Sequence, residues 1–247
     1  VPAALAAQSE PATPRHTLTL TGGSVATTRV DERASPQRFG GTGSRGDVRY
    51  EGRFGPWRVT GDGELRQTGL DPRGDARARS RESLTTGGVR FSLLRSLSTS
   101  GWARSLSVGL SVGTQSATVR HQYPNPTSLR YDFGVDAVLI APTVEWRGAV
   151  GSGVIDLRAT GAVAGLTRFP YSDSRAETLR SPWRLTPPAR LQAGDVALRW
   201  APSATARVTP MLGYRAAVFR LRDTQALREV SQTIEAGLVL RLGKRTP

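Results

Sequence analysis

The only imidazoles in this chain of 247 residues are His16 and His121, and there is no cysteine. Acid–base or nucleophilic catalysis of the Ser–His–carboxylate kind needs partners within hydrogen-bond reach of such a ring. His121 stands in Arg120-His121-Gln122-Tyr123, with Ser116 and Ser128 as the nearby hydroxyls and no recognisable motif around it. The expectation is a solvated loop histidine, and His16, at the edge of the first strand, is expected to be incidental. Two histidines and no cysteine exclude a His-rich metal centre, a thiol nucleophile, disulfides and Cys-ligated zinc or iron–sulfur sites. No metal or cofactor is expected.

Two short motifs carry little. Gly41-Thr42-Gly43-Ser44-Arg45-Gly46 matches G-x-G-x-x-G. A dinucleotide site, however, needs a helix after the glycines so that its N-terminus meets the pyrophosphate. An alternating strand follows instead. Arg-Gly-Asp occurs at 45–47 and 73–75, which coincidence explains in a chain rich in Arg and Gly.

Arginine dominates the charge. There are 34 basic against 20 acidic side chains, and Lys244 is the only lysine. A formal net charge of +14 raises nucleic acid or an anionic membrane as partner. Single-stranded nucleic acid would call for basic residues interleaved with aromatics along a groove. Here many arginines are opposed by carboxylates instead, so no nucleic-acid partner is expected.

The elements that must hold these charges are strands. Val48, Tyr50, Gly52 and Phe54 alternate with Arg49, Glu51 and Arg53; after Gly55-Pro56, Trp57, Val59 and Leu65 alternate with Arg58, Asp62, Glu64 and Arg66. Segments 102–118, 128–141, 152–167 and 204–219 behave similarly, as does Ile234 to Leu242. Period-two alternation of this kind marks strands with one apolar and one polar face. Long connections near 31–37, 70–84, 119–127, 168–187 and 221–228 alternate with short ones near 55–56, 97–101, 149–152 and 201–204. The count is ten strands, with eight or twelve as alternatives. Apolar residues change phase around Ala141-Pro142, from Leu129, Tyr131 and Phe133 to Val144, Trp146 and Gly148, which predicts a β-bulge there. A similar shift is expected at Gly194-Asp195.

By this register one polar face carries Arg49, Glu51, Arg53, Arg58, Asp62, Glu64, Arg66, Arg90, Arg130, Asp132, Asp136, Asp156, Arg158, Arg199, Arg207, Arg215, Glu235 and Arg241. Phe54, Trp57, Trp102, Trp146 and Trp200 cluster beside the short turns, as a girdle at a membrane interface would. Tyr131, Phe133, Phe169 and Phe219 are candidates for the opposite girdle. The predicted fold is all-β, a closed antiparallel up-and-down transmembrane β-barrel.

In strand number, turn asymmetry and girdle the chain resembles bacterial outer-membrane β-barrel proteins of the small single-chain type. The resemblance covers about residues 14–243 and is one of pattern. It departs at the end, where such proteins usually finish with an aromatic residue and this chain reads Leu242-Gly243-Lys244-Arg245-Thr246-Pro247. Residues 1–13, with Val1-Pro2-Ala3-Ala4-Leu5-Ala6-Ala7, look like a signal-peptide remnant and disordered N-terminus; residues 14–247 form the barrel. The resemblance implies a monomer in the outer membrane of a Gram-negative-type bacterium. The polar face then lines a lumen, and the chain is a structural barrel or a narrow, porin-like, anion-preferring small-solute pore. Loop arginines Arg73, Arg77, Arg79 and Arg81 would suit lipopolysaccharide phosphates. The alternatives are a soluble secreted barrel binding a polyanion, and a lipid-modifying hydrolase or acyltransferase using His121 at the rim.

Overall fold

The computed structural model describes residues 16–32, 35–73, 81–97, 106–122, 130–173, 179–203, 206–222 and 226–242. Segment 1–13, Trp102, Arg77 and Arg79 lie outside them. Fourteen strand segments follow one another. They are β1 (His16–Asp31), β2 (Ser35–Phe54), β3 (Trp57–Pro72), β4 (Arg81–Ser96), β5 (Leu106–Gln122), β6 (Arg130–Val150) and β7 (Gly153–Gly161). Then come β8 (Ala164–Arg168), β9 (Pro170–Asp173), β10 (Leu179–Arg180), β11 (Arg184–Thr186), β12 (Leu191–Pro202), β13 (Val208–Arg222) and β14 (Ala226–Leu242).

Each of β1 to β6 pairs with its successor, β6 pairs with β7, β7 with β12, and β12 to β14 run on in order. The pairing of β14 with β1, from Leu242↔His16 to Leu227↔Asp31, closes the ring. The result is a closed antiparallel barrel of ten strands, in which β8 and β9 prolong β7 along β6 and β11 lies against β8. Closure leaves no unpaired edge within the ten-strand ring, as a hydrocarbon surrounding requires, while the short β10 and β11 pair on one side only. Gly55 and Gly151, at φ +58° and +56°, make the tight turns at one end. Both chain ends of the barrel lie at this turn end; the other is the loop end.

The strands are long. A tilted membrane-crossing strand needs about 9–11 residues, whereas β2 has 20 and β6 has 21. The surplus lies towards the loop end. For the same reason two connections expected to be long are not: β1 ends at Asp31 and β2 begins at Ser35, and β13 ends at Arg222 with β14 beginning at Ala226. Chain read as loop is strand that continues beyond the bilayer. At the turn end, β4 and β5 are separated by residues 97–105, a longer link than expected.

No bulge occurs at Ala141-Pro142. The β5–β6 register is unbroken from Leu106↔Trp146 to Gln122↔Arg130. The bulge lies on the neighbouring stave: Thr160 faces Thr143 and Ala164 faces Ile140, one extra residue on the β7–β8 side. Gly194-Asp195 is likewise regular against both neighbours. Polarity changes along β6, but side-chain direction does not. Val135 and Ala137 are buried inside the barrel, as are Ala141, Thr143 and Glu145 lower down.

Candidate functional site: the barrel interior

Along each stave alternate residues point inward, and near the turn end nearly all of them are polar. Arg49 and Glu51 of β2 meet Glu145 and Arg147 of β6, although three strands separate them on the shorter path round the wall. Arg49 Nη2 donates to Glu145 Oε1 at 2.6 Å, and Arg147 Nη2 donates to Glu51 Oε2 at 3.0 Å. Arg58 and Arg158 also face the Glu145 carboxylate, at 3.1 and 3.4 Å. Arg158 of β7 reaches across to Asp62 of β3 at 2.7 Å. Arg53 pairs with Glu51 at 3.0 Å and Asp156 with Arg147 at 2.6 Å. Hydroxyls complete the layer: Arg58 donates to Ser107, Arg158 to Ser92, and Ser92, Ser111 and Thr143 form a chain.

A second layer lies above. Arg215 of β13 faces Glu64 at 3.1 Å and Asp195 at 3.0 Å, and Arg90 of β4 reaches Asp195 at 2.8 Å. Arg45 pairs with both Asp47 (2.7 Å) and Glu64 (2.5 Å). The first Arg-Gly-Asp triplet is thus an internal ion pair. Arg199 pairs with Glu235 at 2.8 Å beside Gly213, where a Cβ would stand 2.7 Å from Glu235 Oε1. Higher still, Glu229 accepts from Arg66 and from Arg29, and Arg29 also holds Asp31 at 2.7 Å.

Many of these groups are enclosed, the side chains of Arg29, Glu145 and Glu235 being each 1% exposed, while Arg53, Arg90 and Arg147 stay partly accessible from the bore. Charges withdrawn from water are tolerated only when paired and hydrogen-bonded. Reciprocal Arg–carboxylate layers supply the pairing and narrow the bore, although Glu145 Oε2, Glu235 Oε2 and the Nε of Arg158 and Arg215 have no hydrogen-bond partner among the described residues. What remains open is a central cavity of about 90 Å³, lined by seven arginines and four carboxylates. Above it apolar side chains pack among the buried polar ones. Val135, Leu191, Phe219, Leu221 and Leu227 form one cluster, and Phe39, Leu70, Leu84 and Val119 another.

Several expected positions need correction. Asp136 lies on the outer face, where it accepts from Ser116 at 2.7 Å and from Arg168 at 2.8 Å, and Asp132 there pairs with Arg120 at 3.3 Å. The apparent phase change along β6 misassigned both, because inside and outside exchange polarity once the strand leaves the membrane. The side chain of Arg130 is outside the described ones. Arg207 precedes β13 and is exposed, while Arg241 donates to the Ala206 carbonyl at the turn-end rim. Phe219 and Phe169 belong to the internal apolar cluster, not to an outer girdle. His121 is no solvated loop residue: its ring is buried inside the mouth, bonded to Glu82 at 3.0 Å and edge-on to Phe39. His16 stacks on Tyr50 and bonds its hydroxyl at 2.7 Å. Sequence reading passed over Arg29, Asp31, Arg45, Asp47, Glu145, Arg147, Asp195 and Glu229. The alternation of Val144, Trp146 and Gly148 with Glu145 and Arg147 already carried the signal for those two.

The outer face has the opposite character. Ile234 is 72% exposed, Phe91 66% and Leu110 59%, and Val48, Val112, Ile140, Leu198, Leu212 and Leu238 continue the band round the wall. An apolar surface this extensive marks a membrane-facing surface, whereas a soluble monomer exposes only patches of a few hundred Å². Phe54, Trp57 and Trp200 are exposed at its lower border, with Arg95 stacked over Trp57, and Trp146 points outward half-buried.

No protein-family model and no curated relative matches the chain. Solved structures do. The outer membrane protease OmpT from Escherichia coli superposes with a TM-score of 0.54 at 9% identity, over 92% of this chain and 96% of that one. Neisserial surface protein A gives 0.40 at 11% identity, over 91% and 97%; the β domain of the Bordetella autotransporter BrkA gives 0.46 at 8%, over 92% and 100%. The chain has the fold of bacterial outer-membrane β-barrel proteins.

Proposed function

We propose that the chain is a structural barrel of the outer membrane, sealed from within and without enzymatic activity. The observation that carries this is the convergence of Arg49, Arg58 and Arg158 on Glu145 across the bore. Each guanidinium there has a carboxylate, so an ion would have to break buried pairs to pass. The apolar clusters at the mouth support the same reading, since the polar groups among them, Glu82–His121 and Arg29–Asp31, are already paired. His121, bonded to Glu82 and 2% exposed, suits a structural role better than contact with lipid or peptide.

One observation favours a second reading, the narrow anion pore. The central cavity has three more arginines than carboxylates, so a barrel opened by rearrangement would prefer anions.

The test is conductance of the refolded protein in a planar bilayer under a salt gradient. A protein that inserts and stays silent supports the sealed barrel. Steady discrete steps with an anion-side reversal potential would replace it with the pore.

A further inference from the structure

Outside the barrel, above the apolar band, three strands, β13, β14 and β2, present arginines at one level. Arg220 of β13 lies directly opposite Arg228 of β14. Arg228 is opposite Val30 of β1, and Val30 is opposite Arg38 of β2. The amide of Arg73 then donates to the Arg38 carbonyl at 2.7 Å, placing a further arginine beside the row. The residues flanking Arg220 in sequence, Phe219 and Leu221, are buried inward, as are Leu227 and Glu229 around Arg228; both arginines therefore face out.

Neighbouring strands stand about 4.8 Å apart, and like charges directly opposite each other are destabilising. Inside the barrel the arginines are neutralised by carboxylates. Here, among the described residues, Arg38, Arg220 and Arg228 enter no ion pair. Of the described carboxylates near them, Glu32 accepts from the Ala226 amide at 3.0 Å and Asp71 lies 3.8 Å from Arg81. On β13 the outward Val218, 43% exposed, stands two residues below Arg220. At a rise of about 3.4 Å per residue and a tilt of roughly 40°, the row lies roughly 5 Å above the top of the apolar band. That is within the polar headgroup layer, about 5–7 Å deep on each side of the hydrocarbon core.

We propose that Arg220, Arg228 and Arg38 form a binding surface for the phosphates of anionic lipid headgroups, the guanidinium forks taking phosphate oxygens bidentately. The site is on the outer wall and differs from the loop-tip arginines. It rests on the reading of the barrel as membrane-embedded with its loop end at the lipid surface.

The experiment uses the refolded full chain in vesicles of phosphatidylcholine with or without phosphatidic acid. Lipid retained after detergent extraction is counted by native mass spectrometry. Wild type is expected to retain phosphatidic acid in preference to phosphatidylcholine. Arg220→Gln with Arg228→Gln is expected to weaken that retention roughly 30-fold, the effect of removing two arginines from a charged headgroup layer. Heat-dependent gel mobility verifies that the variant is folded, since both side chains lie outside the wall. Undiminished retention by the folded variant overturns the proposal. So does competition by inorganic phosphate at the concentration of the lipid, which would make this a site for the free anion. Conductance plays no part in the readout, so a pore in place of a sealed barrel leaves the result interpretable.

Discussion

Arg49 and Glu145 are separated by 96 positions in sequence and stand on well-separated walls of the barrel, yet their side chains meet at 2.6 Å. The contact is a cross-brace: it ties β2 to β6 through the bore, where wall hydrogen bonds cannot reach. Glu145 is also the acceptor on which Arg58 and Arg158 depend.

Removing that acceptor leaves three guanidinium groups to share Asp62 and Glu51 in the bore. Glu145→Ala is expected to destabilise the barrel by about 3–5 kcal/mol. Replacing Arg49 as well is expected to recover part of the loss, because one fewer charge is stranded. Urea titration in detergent micelles measures both; additive losses in the double variant would mean that the pair is not coupled.

The same variant tests the seal. Glu145→Ala opens the lowest layer while leaving its arginines, so any conductance it acquires is expected to favour anions. Neutralising Arg49, Arg58 and Arg158 together is expected to move the reversal potential towards cations. An unchanged reversal potential in a conducting triple variant would place the permeation path elsewhere.

The membrane plane can be mapped by placing arginine on the outer face. Phe91→Arg in the middle of the band is expected to cost about 2–4 kcal/mol, and Thr118→Arg, above the band beside Arg120 and Asp132, about 0–1 kcal/mol. Equal costs at the two sites in refolding into vesicles would contradict the assigned band.

Gly213 is a packing position. A methyl group there would press on Glu235 and on Arg199 Cγ, at 2.7 and 3.2 Å, and disturb their salt bridge. Gly213→Ala is expected to lower the thermal midpoint measurably. Gly69→Ala, where an added Cβ meets nothing within 4 Å, serves as control and is expected to lie within about 0.5 kcal/mol of wild type. Equivalent behaviour of the two variants would remove the steric argument.

Much of the architecture was legible because the side-chain period of a strand is two. Alternation from Val48 to Arg66 alone placed Arg49, Glu51, Arg58, Asp62, Glu64 and Arg66 on one face, and the structure turns that face inward. Where alternation was read as if the polar face were always inside, it misled. Asp132 and Asp136 are polar and outside, Val135 and Ala137 apolar and inside, on a strand whose register never slips. The rule linking polarity to direction holds only within the depth of the bilayer, and β6 extends beyond it.

The sequence by itself determined the alternating strands, the apolar outer band and the surplus of arginine over carboxylate, because each is a property of local order and composition; closure settled ten strands over eight or twelve, and the segment 168–187, read as a connection, carries the short β9, β10 and β11. Only the tertiary structure decided which charges neutralise which. Arg49 finds Glu145, Arg158 finds Asp62 and Arg90 finds Asp195 because closing the sheet brings distant walls within side-chain reach. That distance is set by strand number and stagger, and spacing along the chain carries no trace of it. The same closure left Arg220 and Arg228 side by side on the outside, beyond reach of the carboxylates within.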